Sequence, residues 1–128
     1  MKLHLDQSLG IHRVTAQSED FIEIDGRRHG TSLIVLPDRL IRDWPVARLD
    51  RLESGHFAAL IELRPEIVLL GSGRRHRFPP PDRLATLFAA GMGVEVMATA
   101  AACRTYNILV AEGRRVAAAL ILETRAEG

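Results

Sequence analysis

Short apolar runs separated by turn residues divide this chain into strands and helices. Residues 21–24 alternate as a half-buried strand does, and Asp25-Gly26 is a favoured pair for a type I′ hairpin turn. The returning strand meets Gly30, where we expect a bulge, and continues as the apolar run 33–36. The first third of the chain is therefore predicted to form a β-hairpin, whereas residues 38–53 give no firm element.

The rest of the chain alternates apolar strands with helices. Apolar runs without polar alternation are typical of strands covered on both faces, and they occur at residues 66–70, 94–98 and 116–122. Helices are predicted to begin at Ser54, at the prolines before Asp82 and at Thr99, and to end near Leu63, Gly91 and Gly113. A strand–helix–strand crossover of this length makes the first two strands parallel, and the direction of the last strand stays open.

The predicted helices differ in how much apolar surface they carry. The first two have one buried stripe each, formed by Phe57, Leu60 and Ile61 and by Leu84, Leu87 and Phe88. The third helix is apolar on nearly every side, and such a helix is buried on more than one face. We therefore expect residues 99–112 to be covered by the amino-terminal hairpin, by a second copy of the chain as a homodimer, or by both.

Composition and charge narrow the classes of protein. A chain of 128 residues with a net charge of +1 fits one α/β domain, with a core at roughly 9–122 and a frayed tail at 123–128. One cysteine and five unpaired histidines predict no disulfide, no metal and no cofactor. The amino terminus has no apolar signal region, and no run reaches the ~20 apolar residues of a membrane span. We expect a cytoplasmic protein.

The loop Gly71-Ser72-Gly73-Arg74 follows the first strand of the parallel pair and is a candidate ligand site. Ligands of open α/β sheets bind at the carboxyl ends of the strands, and glycines let backbone N–H groups approach an anion. The loop matches neither the Walker motif nor the dinucleotide-binding fingerprint. The alternative is that its glycines merely turn the chain.

The start of the third helix supplies further candidates. Thr99, as the amino-terminal cap, would leave helix N–H groups with partial positive charge, and Arg104 and Asn107 would complete a cationic pocket beside the loop. Alternatively, Arg104 pairs with an acid such as Glu23. Cys103 is a weaker candidate, as a nucleophile, because a cysteine among alanines on an apolar stripe is more often inert.

A dense basic segment, Arg74-Arg75-His76-Arg77, precedes Phe78. It can serve an acidic protein partner, an anionic small molecule or RNA phosphates, or it can be a solvated loop. A single aromatic residue is a poor stacking platform, so nucleic acid is the weakest of these partners.

The residues from Met97 to Leu120, with the Gly-x-Gly strand end at 66–73 and Gly30-Thr31-Ser32, resemble the signature of a known family. It is a small domain-of-unknown-function family. Its eukaryotic members include the adipogenesis-associated domain protein and the third alpha-subcomplex assembly factor of mitochondrial NADH dehydrogenase. The resemblance covers roughly residues 9–122 and points to a bacterial member. It implies a three-layer α/β domain with a central mixed sheet, about three helices, additional amino-terminal β structure and no established enzymatic activity.

No acid–base pair, metal set or activated nucleophile can be named from the sequence. We therefore expect a non-enzymatic interaction module resembling an assembly factor, with an unidentified protein partner, working in respiratory or membrane complex biogenesis. The alternative is an enzyme or sensor that binds an anionic small molecule at the carboxyl ends of the parallel strands.

Overall fold

A five-stranded mixed sheet forms the centre of the fold. The computed structural model describes residues 10–123. The strands are β1 (Val14–Gln17), β2 (Ile22–Ile24), β3 (Arg27–His29), β4 (Leu33–Leu36), β5 (Arg39–Ile41), β6 (Ile67–Gly71), β7 (Gly93–Met97) and β8 (Val116–Leu120). They form a five-stranded sheet with the order β5-β4-β8-β6-β7 and a three-stranded sheet with the order β1-β2-β3. β6 runs parallel to both β7 and β8, and β4 runs antiparallel to both β5 and β8. The predicted parallel pair is confirmed, and the direction of the last strand is now known.

β8 is the central strand and all five of its residues are buried. Along it, Ala117 and Ala119 face one hydrophobic cluster, whereas Val116, Ala118 and Leu120 face the other. Side chains of a strand alternate between the two faces of a sheet, so a strand buried on both faces is apolar throughout. The uninterrupted apolar run in the sequence follows from this position.

Three α-helices are present in the described chain: α1 (Ala58–Leu63), α2 (Ala85–Ala89) and α3 (Thr99–Ala111). A 3₁₀ turn precedes each of the first two, at Ser54–Phe57 and Pro81–Arg83, and a further turn lies at Leu49–Arg51. Ser54 is the first residue of its turn rather than the cap. That role belongs to Glu53, whose N–H donates to Nδ1 of His56 at 2.9 Å.

The helices cover both faces of the sheet, which confirms the three-layer α/β class. α1 and α2 pack with Trp44 on one face, and α3 packs on the other. Phe88 of α2 was predicted on the core face but is 55% exposed, because the short helix buries Leu87 and its preceding cap residue Leu84 instead. Gly91 follows α2 with a φ of +84°, as expected for the residue after a helix end.

The small sheet contains the predicted hairpin. Asp25 and Gly26 both have positive φ, as a type I′ turn requires, and β2 pairs with β3 across them. The expectation that the returning strand continues through Gly30 into residues 33–36 is wrong. The chain instead leaves the small sheet after β3 and enters the large one as β4. Strands β1 and β5 had no counterpart in the sequence prediction.

The small sheet is attached to α3 by two side chains of that helix. Asn107 accepts a hydrogen bond from the Val14 N–H at 3.0 Å and donates one to the Val14 carbonyl at 2.7 Å. The hydroxyl of the buried Tyr106 donates to the His12 carbonyl at 2.8 Å, and burial raises the pKa of Tyr106. The amino-terminal β structure therefore covers α3, one of the two coverings expected for this apolar helix.

Ion pairs mark the edge of the sheet where β6 and β8 begin. Glu66 accepts hydrogen bonds from the Arg115 N–H and from the Arg114 guanidinium, each at 3.2 Å. These two donors, the backbone N–H first, lower the pKa of Glu66. The pairs are exposed and lie at the amino ends of β6 and β8, whereas ligands of open α/β sheets bind at the carboxyl ends.

Candidate functional site

Three strands of the large sheet end at the same level, and the candidate loop begins there. Gly71, the last residue of β6, pairs with Met97 of β7 on one side and with Leu120 of β8 on the other. The chain continues from these ends into the loop after Gly71, into α3, and into residues 121–123. The two segments that were expected to lie together, 71–74 and the start of α3, are in direct contact.

Thr99 begins α3 and bonds both the loop after β6 and the segment after β8, but it is not the helix cap. The cap residue of α3 is Ala98, which makes no side-chain cap hydrogen bond. The Thr99 hydroxyl instead accepts from the Gly73 N–H at 2.9 Å and donates to the Ile121 carbonyl at 2.7 Å. The Thr99 N–H also donates to the Gly73 carbonyl at 2.9 Å. A buried hydroxyl with two backbone partners fixes the loop to the segment that follows β8.

Gly71 allows α3 to approach the sheet this closely. A Cβ atom at Gly71 would lie 2.9 Å from the Thr99 hydroxyl oxygen and 3.0 Å from the Thr99 Cα. The second of these is a backbone atom that cannot rotate away. Gly71 is therefore required by packing against α3.

The amides of the loop are already bonded within the protein. The Ser72 N–H donates to the Met97 carbonyl at 2.8 Å, and the Gly73 N–H donates to Thr99. The Ser72 hydroxyl donates to the Arg75 carbonyl at 2.5 Å and accepts from the Arg77 N–H at 3.2 Å. The expectation of unpaired amides at residues 71–74 is wrong for this conformation, because internal acceptors take each of them.

The acceptor for the Arg74 N–H is the carboxylate of Glu123. Oε1 of Glu123 lies 2.8 Å from the Arg74 nitrogen, and Oε2 lies 3.1 Å from Nη2 of Arg77. The Glu123 side chain is only 16% exposed. Its assignment to a frayed tail was therefore wrong, whereas residues 124–128 lie outside the described chain. Glu123 lies 49 positions after Arg74 and 46 positions after Arg77, so no local pattern in the sequence indicates these contacts.

A hollow of about 160 Å³ opens beside this carboxylate. Its lining comes from the end of β1, the loop, the first turn of α3 and the segment after β8: Gln17, Ser18, Glu19, Gly73, Arg74, Thr99, Ala100, Ile121, Leu122 and Glu123. Glu19 also pairs with Arg74, with 3.8 Å between Oε1 and Nε. Because Glu19 pairs with Arg74 and Glu123 with Arg77, the negative charges here offset the positive ones, unlike in the cationic pocket that the sequence predicted.

Arg104 and Asn107 line a different hollow, of about 200 Å³, together with Cys103 and residues 14–17. The side chain of Arg104 is exposed, and the carboxylate of Glu23 lies with Arg28 and Thr15 instead. Both polar atoms of the Asn107 amide are used by Val14. The structure therefore separates these two candidates from Gly73, Arg74 and Thr99.

Cys103 has the properties of a packing residue. It is 2% exposed, and burial raises the pKa of its thiol to about 12 against the small opposing effect of Arg104. A thiol is nucleophilic as the thiolate, which is not formed at neutral pH with such a pKa. The weak nucleophile hypothesis has no support in the geometry. Among residues 10–123 there is also no group of three or more His, Cys, Asp or Glu side chains placed to hold a metal ion.

The segment 74–78, which we call the basic loop, projects from this edge. Arg74 and Arg77 have the acid partners described above, whereas the side chains of Arg75 and His76 are exposed and have no ion pair within residues 10–123. Phe78 is 72% exposed, with its ring centroid 4.8 Å from that of His76.

Comparison with known proteins gives matches over most of the chain. Residues 14–121 match the model of a family described as "Protein of unknown function (DUF498/DUF598)". The NADH dehydrogenase [ubiquinone] 1 alpha subcomplex assembly factor 3 of Xenopus tropicalis is 37% identical over 84% of this chain and 58% of its own length. The "13 kDa major membrane protein" of Francisella tularensis is 34% identical over 57% of this chain and 59% of its own length. The chain thus matches less than two thirds of either relative.

A solved structure agrees with the fold. The solution structure of a Bordetella pertussis protein, described as a Mth938-like domain, superposes with a TM-score of 0.81 at 34% identity and covers 99% of this chain and 97% of that one. Despite the names of some relatives, no helix within residues 10–123 is long and apolar enough to cross a bilayer.

Proposed function

Since the chain belongs to the DUF498/DUF598 family, whose relatives include assembly factors of NADH dehydrogenase, we propose that it is a non-enzymatic protein-interaction module of the assembly-factor kind. Its place of action would be the biogenesis of a respiratory or membrane complex. Similarity to several vertebrate assembly factors of the same name is the observation that carries this proposal. A cytoplasmic location belongs to the same proposal, and cell fractionation tests it.

The basic loop is the surface that best fits a protein partner. It combines an exposed phenylalanine with the exposed side chains of Arg75 and His76, which lack ion-pair partners in the described chain. Aromatic residues and arginine are the residue types enriched at the centres of protein interfaces. The edge from which the loop projects is held by hydrogen bonds of Thr99 to Gly73 and of Glu123 to Arg74 and Arg77.

The test is a deletion of the gene followed by complementation. Loss of the protein should reduce the amount of one assembled respiratory or membrane complex on native gels, and the wild-type chain should restore it. A chain with Arg75→Ala and Phe78→Ala should fail to restore the complex although it folds normally. Phe88→Ala is the matched control, since Phe88 is an exposed phenylalanine outside the loop. Normal complexes in the deletion strain would refute the proposal.

A homodimer through residues 99–112 has less support. The small sheet already covers the stripe of α3 that carries Cys103, Tyr106 and Val110. Ile108, which is 58% exposed, is the large apolar side chain that remains outside on this helix. Sedimentation of the purified chain at several concentrations tests this form of the proposal, and Ile108→Lys should abolish any dimer that uses the helix.

The second candidate function is the binding of an anionic small molecule at the carboxyl ends of β6 and β7. The observation that favours it is that Arg74 and Arg77 already hold one anion, the carboxylate of Glu123. Thermal unfolding of the wild-type chain with phosphate, nucleotides and carboxylates is the test. Arg77→Ala removes the guanidinium that holds the Glu123 carboxylate, and Arg104→Ala removes the arginine of the other hollow, so the two variants assign a stabilising ligand to one of the two places. The absence of any shift removes this candidate.

A further inference from the structure

We propose that the segment Gly73–Arg77 forms a carboxylate-binding site in which Glu123 is an internal ligand, and that an external carboxylate binds the same donors when the Glu123 side chain swings out. This inference deepens the anion-binding candidate and rests on it. It names the class of ligand and the residue that controls access.

The donors match the two oxygens of a carboxylate. The Arg74 N–H donates to Oε1 of Glu123 at 2.8 Å, and the Arg77 guanidinium donates to Oε2 at 3.1 Å. Two separate donors on two oxygens fix both the position and the plane of the group, and a charged donor strengthens the hydrogen bond. The arrangement therefore defines both the position and the plane of the carboxylate that it holds.

Gly73 leaves space for the carboxylate. Its φ is +110°, a conformation that side-chain-bearing residues rarely adopt. A Cβ atom at this position would lie 2.6 Å from Cδ and 2.8 Å from Oε1 of Glu123. Any side chain here would therefore displace the carboxyl group itself. The loop conformation and the missing side chain together create the place that the carboxylate occupies.

The side chain of Glu123 can leave without disturbing the sheet. The preceding backbone is held independently, because the Leu122 N–H donates to the Ser32 hydroxyl at 2.8 Å and the Ile121 N–H donates to the Gly71 carbonyl at 3.1 Å. The Arg77 side chain is 53% exposed, and the 160 Å³ hollow lies directly beside Glu123. A ligand of a few heavy atoms can therefore reach both donors once Glu123 rotates away.

The surroundings favour a singly charged carboxylate over phosphate. Glu19 borders the hollow and pairs with Arg74, so a second negative charge on the ligand would be repelled. The Ser72 and Gly73 amides that could serve further phosphate oxygens are already bonded inside the protein. The ligand carboxylate can come from a free small molecule or from the acidic side chain of a polypeptide, and both share the same chemistry at Arg74 and Arg77.

The experiment uses the purified chain and acetate as the probe. The ¹⁵N shift of the Arg74 amide is followed during acetate titrations at constant ionic strength, for the wild type and for Glu123→Ala. Acetate should bind Glu123→Ala at least ~10-fold more tightly than the wild type, because the internal competitor is gone. Adding Arg77→Ala should abolish the gain, whereas adding Arg104→Ala, an arginine in the other hollow, should preserve it.

A substitute variant and three stated outcomes decide the test. If Glu123→Ala does not fold, Glu123→Gln replaces it, since glutamine keeps the size of the side chain and loses the charge that Arg77 attracts. Equal acetate affinity of wild type and variant, tighter binding of phosphate than of acetate, or a gain that persists without Arg77 would each overturn the proposal.

A short peptide with blocked ends and a single glutamate distinguishes the two sources of the ligand carboxylate. Binding of the peptide to Glu123→Ala with at least the affinity of acetate identifies a polypeptide source. Binding of acetate alone identifies a small molecule. These measurements use no partner complex, so their failure leaves the assembly experiment above unaffected.

Discussion

Replacing Thr99 by valine tests whether one hydroxyl holds the candidate site together. Thr99 is 8% exposed, and its hydroxyl bonds both the Gly73 N–H and the Ile121 carbonyl. Valine has nearly the same shape and a similar helix propensity, so the substitution removes the two hydrogen bonds and little else. We expect the chain to remain folded but to lose stability, with the loop loosened from the segment after β8.

The size of the effect follows from the groups left without partners. A buried backbone group whose partner is removed costs about 1–3 kcal/mol, and Thr99→Val leaves two such groups without a partner, the Gly73 N–H and the Ile121 carbonyl. Water can reach the edge of the adjacent hollow and relieve part of this cost, so we expect a total of about 2–4 kcal/mol. For a domain of this size each kcal/mol corresponds to roughly 3–5 °C, which gives a fall in Tm of roughly 6–20 °C.

Urea unfolding followed by circular dichroism measures this free energy, with Thr99→Ser as the matched control. Serine keeps the hydroxyl and loses one methyl group, so its cost should be about 1 kcal/mol. The reasoning is refuted if valine costs less than about 1 kcal/mol, or if serine destabilises the chain as much as valine does. In either case the hydroxyl would not be the connection that the geometry describes.

Three other residues give shorter tests. Asn107→Ala should lower the free energy of unfolding by about 1–3 kcal/mol and speed hydrogen exchange at Val14, because the N–H and carbonyl of Val14 lose their partner. The control Arg104→Ala, at an exposed position of the same helix, should change that free energy by less than about 0.5 kcal/mol. Cys103 should resist labelling by thiol reagents at pH 8 in the native chain and react fully in urea, since its pKa is raised to about 12. For Glu66, whose folded pKa is lowered, any stability it contributes should be present above the unfolded pKa and lost as the pH falls through the folded one; carboxyl NMR titration should find a pKa below that of an unstructured glutamate.

The elements of this fold are largely visible in the sequence because local signals define them. The apolar runs at β6 and β8, the turn at Asp25-Gly26 and the glycine after α2 each act within a few residues. The errors are also physical. A strand that changes sheets after Gly30 has the same local pattern as a bulged strand, and the five-residue α2 is too short for periodicity to place Phe88.

The candidate site was less predictable, because long-range hydrogen bonds define it. The sequence indicates the loop at residues 71–74 and the start of α3, which do meet. It does not indicate that the Thr99 hydroxyl reaches Gly73 and Ile121, or that Glu123 returns to Arg74. An acid after an apolar strand is indistinguishable from a solvated tail until the partner loop is placed beside it.

The internal bonding of the loop changes what a binding site at this edge must do. Backbone amides that are free can receive an anion without cost, but here Met97, Thr99 and Glu123 accept from all of them. Of these acceptors, the Met97 carbonyl belongs to β7 and the Thr99 hydroxyl to the first turn of α3, so both are held in place by the fold. Glu123 is a side chain on an extended segment, so it alone of the three can be exchanged for a ligand. An anion that binds the loop amides at this edge must therefore take the place of the Glu123 carboxylate.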